Sequence, residues 1–297
     1  MLRIGIWFDD SHVSYGGPAA VLTGTIQGLL EDAERTKRPI KILINQNGDV
    51  NWVVTKLREH DKLIRQIRNP VIGPIIFSHT DALTTRADEN IVWSTGQRFL
   101  LSSQWYADLI QKGLPMNPPR SITIWEAGVD TKFFVPSQTP KTQDFFIYFK
   151  SQKYDELQKI QQILFTNYFK MTGTIITYYY YTPEMLREAA QKSRFCIFMS
   201  NTETQGLAAL EILACDCPII VLDVTEFEHE LFRFKGATSA TCWSPQCGIK
   251  STVHNFEHDF KSFQKNLSSY KPRDFVCANY SYEKAAHKLR NILELTL

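Results

Sequence analysis

Ser200-Asn201-Thr202-Glu203-Thr204-Gln205-Gly206-Leu207-Ala208-Ala209-Leu210-Glu211-Ile212-Leu213-Ala214-Cys215-Asp216-Cys217-Pro218 is the stretch on which the reading of this chain turns. A β-prone apolar run, Phe195–Met199, precedes it, and a second, Pro218–Leu222, follows. Between them a short polar loop gives way at Gly206 to helix-forming residues as far as Cys215. Strand, loop, helix and strand in that order make a βαβ unit, which belongs to a parallel sheet. Ligands of open parallel sheets sit at the carboxyl ends of the strands, so the loop after Met199 is the place to look for chemistry. The first turn of the helix behind it carries amides with no intrahelical acceptor, suited to a diphosphate. Glu203 lies in the loop. Glu211 lies about one and a half turns into a helix that is apolar nearly all round, where a carboxylate needs a partner. The two acids suit opposite ends of one nucleotide sugar, Glu211 accepting from the vicinal hydroxyls of a ribose. The plainer alternative makes Glu203 a capping carboxylate and Glu211 a solvated helix position, and the apolar flanks of Glu211 argue against it.

The same alternation of strand and helix runs through the chain twice. In the first half the spacing predicts strands at Leu2–Phe8, Ile40–Ile44, Val71–Phe77, Ile91–Ser94, Phe99–Ser102 and Ser121–Trp125, and helices at Pro18–Ala33, Trp52–Ile67 and Trp105–Lys112. In the second half it predicts strands at Phe145–Phe149, Gly173–Tyr179, Phe195–Met199 and Pro218–Leu222, and helices at Asp155–Phe165, Thr182–Lys192 and Gly206–Cys215. Residues 136–144 are polar with two prolines and read as a linker, which gives domains over 1–135 and 145–280. An amphipathic helix closes the chain over 281–297, opening on Ser281 as its N-cap.

A length of 297 residues fits two domains. The 33 basic and 31 acidic residues, a net charge of +2, exclude a dedicated nucleic-acid binder on field strength. Six cysteines, all in the second half and without CxxC spacing, read as reduced thiols in a cytosolic setting. No apolar run reaches secretory or membrane-spanning length, so a soluble, cytoplasmic chain is expected. Lys56, Arg58, Lys62, Arg65 and Arg68 make the 52–69 stretch basic; a solvated helix face is the simpler account, with peripheral membrane contact beside it.

Glu203-x7-Glu211 followed by Ala214-Cys215-x-x-Pro218-Ile219-Ile220-Val221 resembles the donor-site signature of family 4 glycosyltransferases. Gly128-Val129-Asp130-x-x-x-Phe134 is similar to the element that ends the N-terminal domain of these enzymes. The resemblance implies an α/β protein of the GT-B fold, with two Rossmann-like domains whose parallel sheets face a central cleft. It implies a retaining, metal-independent transfer of a hexose from a nucleotide-diphosphate sugar to a glycan, glycolipid or glycoprotein hydroxyl. Glu203 would lie near the transferred sugar, with the Thr204, Gln205, Gly206 and Leu207 backbone against sugar and diphosphate, and Glu211 on the ribose. The family's basic pair after the first strand of the second domain falls on Lys150 and Lys153. Tyr180 or Tyr181 would line the base pocket, although strand tyrosines packing on a sheet account for them equally well.

Gly16 and Gly17, between the first strand and first helix, read either as a phosphate or sugar contact or as a plain tight turn. His79 follows a strand on the cleft side and is a candidate to orient an acceptor or sugar hydroxyl; His12 is a weaker case of the same kind. Asp9-Asp10 is not an Asp-x-Asp metal clamp, so no metal or other cofactor is expected. Asp216 stands where the family often has glycine, and Glu126-Ala127 replaces the usual residues before Gly-Val-Asp. A sugar-nucleotide epimerase or hydrolase on the same fold, and a catalytically silent GT-B binding protein, are the rival readings. A dehydrogenase lacks its GxGxxG fingerprint.

Overall fold

The computed structural model describes residues 1–9, 16–55, 60–75, 98–113, 121–229 and 232–297. In chain order the elements used below are β1 (Leu2–Trp7), α1 (Gly16–Thr36), β2 (Ile40–Ile44), β3 (Val50–Thr55), α2 (His60–Ile64), β4 (Pro70–Ile75), β5 (Arg98–Leu101), α3 (Gln104–Gly113) and β6 (Ser121–Ile124). There follow β7 (Gln143–Phe149), α4 (Tyr154–Asn167), β8 (Gly173–Thr177), α5 (Pro183–Lys192), β9 (Ser193–Met199), α6 (Leu207–Ala214) and β10 (Ile219–Leu222). The chain ends with β11 (Glu226–His229), β12 (Phe232–Lys235), β13 (Gly248–Ser251), α7 (Phe256–Lys265), α8 (Pro272–Asn279) and α9 (Tyr282–Glu294). Two compact units form: residues 1–128 with 281–297, and residues 129–280.

The first unit is a parallel sheet in the order β2-β1-β3-β4-β5-β6. Its central strand β3 is buried along its whole length, as a strand covered on both faces must be. α9 packs on α1 at Gly24 and Gly28, where an added Cβ would come within 2.2 Å of the Tyr282 ring and 2.3 Å of the Tyr282 carbonyl oxygen. Asp32 of α1, fully buried, is 2.9 Å from His287 Nδ1 and 3.3 Å from Arg290 of α9, and 2.8 Å from Arg35.

The second unit is a parallel sheet in the order β13-β10-β9-β7-β8. Side chains alternate across a strand, and they divide here between two cores. Phe146, Tyr148, Cys196, Phe198, Ile219 and Val221 face α5, α6 and α8. Phe145, Ile147, Phe149, Phe195, Ile197 and Ile220 face α4 and α7. Leu210, Ile212 and Leu213 of α6 have no exposed surface, and burial of each stabilises by about 1.5–3 kcal/mol. A charge at Leu213 would break this packing.

Three expectations differ from what folds. The Trp52–Ile67 helix is strand β3 at its start, with Trp52 through Thr55 buried, and only His60–Ile64 is helical within the described residues. Lys62, Arg65 and Arg68 are exposed, while Lys56 and Arg58 lie outside the described residues. The 136–144 stretch falls within the second unit, where two hydrogen bonds fasten it to α5, Lys141 Nζ to the Ala190 carbonyl (3.1 Å) and Thr142 N–H to the Lys192 carbonyl (2.9 Å), and Gln191 Nε2 of α5 holds the preceding Val135 carbonyl (2.8 Å). The closing helix, given a span of its own over 281–297, is grouped with the first unit. The hairpin β11–β12 and helices α7 and α8 were not foreseen. The expected strand Ile91–Ser94 lies outside the described residues.

Candidate active site in the second unit

β9 ends at Met199, and the carbonyl of that residue accepts the amides of Lys150 (2.7 Å) and Ser151 (3.1 Å) just past the end of β7. Two loops that the sequence separates by fifty residues are thereby laid side by side at the carboxyl edge of the sheet. Lys150 Nζ donates to Glu203 Oε1 at 2.7 Å, and Ser200 Oγ donates to the same oxygen at 2.5 Å. Both donors are short enough to count as charge-assisted, and each contributes about 1.5–3 kcal/mol to fixing a carboxylate that is 9% exposed. The Lys150 ammonium also lies 4.7 Å from the centroid of the Tyr178 ring, a cation–π contact.

Gly206 follows, with φ +71°, ψ +43°, as the residue from which α6 starts. An added Cβ would meet nothing closer than 3.7 Å, so it is this left-handed backbone and not space that calls for glycine. The first intrahelical amide to donate is Ala209, to the Gly206 carbonyl at 3.1 Å, which leaves the Leu207 and Ala208 amides at the mouth of the helix.

Glu211 sits on α6, half-buried, and makes no hydrogen bond or ion pair among the described residues. Burial pushes its carboxyl up to about 7. The sequence calls for a partner at this position; none of the described residues supplies one, and the acid holds its proton more tightly. Tyr181 is near enough to feel it: burial first, then the Glu211 charge, raise the phenol to about 12 against the lowering effect of its hydrogen bond with Tyr148. The two hydroxyls are 3.3 Å apart and the rings meet edge to face at 5.8 Å. Tyr148, deeper in the core, is raised further, by burial and then by Tyr181.

Of the other expected site residues, Lys153 is turned to Glu156 at 3.4 Å and is not among the groups holding Glu203. Tyr180 is 80% exposed, whereas Tyr178 and Tyr181 pack on the core beside α6. Thr204, Gln205, Gly206 and Leu207 form the loop and helix mouth as expected, with the Gln205 carbonyl held by Thr241 Oγ1 at 2.8 Å. Gly16, with φ +69° and no described atom within 4 Å of an added Cβ, begins α1 of the first unit, and Gly17 follows it, exposed. His79 and His12 lie outside the described residues. Ser200, Tyr178 and the 238–241 loop were missed. Ser200-x-x-Glu203 is a spacing on which a short hydroxyl reaches back to the acid, and was legible; the distant loop was not. All six cysteines are free thiols, five of them buried. Among the described residues no group of three or more His, Cys, Asp or Glu is placed to hold a metal, and no helix is long and apolar enough to cross a membrane.

No family model and no curated protein matches the chain. Solved structures do, at low identity. A lipopolysaccharide outer core galactosyltransferase, WaaB, matches with a TM-score of 0.60 and 11% identity over 100% of both chains. The N-terminal domain of Candida albicans trehalose-6-phosphate phosphatase matches with a TM-score of 0.62 and 10% identity over 99% of this chain and 97% of that one. The pneumococcal O-GlcNAc transferase GtfA, in complex with UDP and GlcNAc, matches with a TM-score of 0.54 and 11% identity over 83% of this chain and 57% of that one. The chain is thus similar along its length to GT-B glycosyltransferases and has the GT-B fold: two Rossmann-like units, each a parallel sheet with helices. Identity this low carries the fold and nothing finer.

Proposed function

We propose that this chain is a retaining, metal-independent glycosyltransferase that moves a hexose from a nucleotide-diphosphate sugar to a hydroxyl of a glycan, glycolipid or glycoprotein. The observation that carries the reading is Glu211: a half-buried acid with no hydrogen-bond or ion-pair partner among the described residues, on the helix that follows the loop of the ordered Lys150–Glu203–Ser200 group. An unpartnered acid at the ligand edge of a parallel sheet is accounted for by a ligand that donates to it, and vicinal ribose hydroxyls are such donors.

In this reading the Leu207 and Ala208 amides and Lys150 take the diphosphate, Glu203 takes sugar hydroxyls, and the Tyr178–Tyr181 segment borders the base. Lys150 and the helix mouth stabilise negative charge on the leaving phosphate as the C1–O bond lengthens toward an oxocarbenium-like state. The acceptor oxygen bonds to C1 from the leaving-group face, and its proton passes to the departing phosphate oxygen. Retention then needs no enzyme nucleophile. Gly16, Gly17, Lys153 and His79 are kept as candidates for donor or acceptor contacts, Lys153 with the least support because it is paired to Glu156. The protein would act in the cytoplasm, as a soluble enzyme or with peripheral membrane contact, and on no nucleic acid.

A second reading, a GT-B protein that binds nucleotide without transfer, has one observation in its favour: Lys150 is already neutralised by Glu203. Incubation with UDP- and GDP-hexoses separates the two. The transferase reading expects release of free nucleotide diphosphate by the wild type and its loss in Glu203→Ala; nucleotide binding without release supports the silent protein.

A further inference from the structure

We infer that Lys250 is a positioning residue for Glu203, acting through the 238–241 loop; the inference rests on the transferase reading of the Glu203 site. Lys250 stands on β13, the sheet edge strand beside β10, and its half-buried ammonium is the hub of a polar group that the proposed chemistry does not use. It donates to Thr238 Oγ1 at 2.6 Å and to the Ala240 carbonyl at 3.0 Å, and lies 3.3 Å from Asp223 Oδ2. Asp223, just past the end of β10, takes the Thr238 hydroxyl at 2.8 Å and the Ser239 amide at 2.7 Å on its other oxygen. The ion pair therefore grips residues 238–240 from two strands at once.

That loop holds the Ser200–Gln205 loop at three points. The Thr238 carbonyl accepts the Glu203 amide at 2.9 Å, Ser239 Oγ donates to the Ser200 carbonyl at 3.1 Å, and Thr241 Oγ1 donates to the Gln205 carbonyl at 2.8 Å. Start, middle and end of the loop that carries Glu203 are set by a segment whose own conformation is set by Lys250 and Asp223. Ser200 and Glu203 are the two residues whose side chains meet, so a shift of the Ser200 carbonyl or the Glu203 amide moves the carboxylate relative to Lys150. A displacement on the order of 1 Å at such a group costs up to about a hundredfold in rate without abolishing ligand binding. The hairpin β11–β12 enters and leaves between Asp223 and Thr238, which makes the ion pair the clasp that keeps the catalytic loop's support closed beneath that insertion.

The test uses the full chain with Lys250→Met, Lys250→Arg and Asp223→Asn, and has two readouts. Amide hydrogen exchange should show the Glu203 amide exchanging about tenfold faster or more in Lys250→Met, with β9 and α6 protected as in the wild type. Donor turnover should show kcat down about tenfold with the donor KM within about twofold, and Lys250→Arg recovering most of the rate. Should Lys250→Met lose protection throughout the chain, Asp223→Asn carries the same two expectations. Wild-type exchange at Glu203 in the folded variants overturns the inference, as does unchanged kcat where Glu203→Ala is inactive. A wild type that turns over no donor overturns the transferase reading alone, and the exchange result still decides whether Lys250 sets the Glu203 loop.

Discussion

Asp32 in the first unit and Glu211 in the second are both helical carboxylates drawn out of water, and they are treated in opposite ways. Asp32 has no exposed surface and is met by Arg290, itself 2% exposed, by Arg35 and by His287. Glu211 is met by no hydrogen-bond or ion-pair partner among the described residues, and its carboxyl is pushed up to about 7. The first arrangement ties α9 to α1 and serves the fold. The second costs the free protein stability, and in the proposed function a ligand compensates it. A buried acid's partners, more than its burial, separate a structural position from a binding one.

The comparison breaks most easily at its first member. Asp32→Ala removes one of the two carboxylates that meet the buried Arg290 guanidinium, leaving only Glu294 at 3.0 Å, and should cost about 3 kcal/mol or more in chemical denaturation. Glu211→Gln should change stability in the other direction. Its folded carboxyl titrates near 7 against the ordinary 4.5, so the penalty is absent below pH 4.5, builds between 4.5 and 7, and is complete above 7. At pH 8 the variant should therefore be more stable than the wild type by as much as about 3 kcal/mol, with the difference vanishing by pH 4.5. A destabilised Glu211→Gln would mean that the acid has a structural partner after all.

The same titration sharpens the ligand side. Only the ionised form accepts both ribose hydroxyls, so nucleotide affinity measured by calorimetry should rise about tenfold per pH unit up to pH 7 and level off above it. Glu211→Ala should flatten that profile and weaken binding at pH 8 by about tenfold or more. The smallest effects separate neighbours in the tyrosine run. Tyr181→Phe loses the hydroxyl pair with Tyr148 and should cost about 1 kcal/mol, whereas Tyr180→Ala, at a position 80% exposed, should stay within about 0.5 kcal/mol in both stability and binding.

The sequence was most legible where local and tertiary signals agree. β9, the Gly206 turn and α6 fall within one or two residues of their expected limits because an apolar β-rich run, a glycine and an Ala/Leu-rich run each favour one conformation. The Trp52–Ile67 stretch failed because a short apolar run beside spaced basic residues imitates a helical face, and only the covering of β3 on both sides reveals a strand. The 136–144 segment failed because its prolines and polar residues say nothing of the α5 carbonyls that accept from its Lys141 ammonium and Thr142 amide. Within the site, Glu203 and Glu211 came from the pattern of the chain, and Lys150 from the family resemblance. The Lys250–Asp223 clasp arises from contacts between strands that sequence leaves far apart, and no local signal carries it.

The central claim is that Glu211 and the Glu203 loop form a nucleotide-sugar site. Thermal unfolding of the wild type with UDP- and GDP-hexoses at pH 8 tests it most directly, since a ligand at a hundred times its Kd adds about 2.7 kcal/mol to the native state. At least one of these donors should raise the midpoint, and Glu211→Ala should cut the rise to about half or less at the same concentration. No rise with any of them, or an equal rise in the variant, would contradict it.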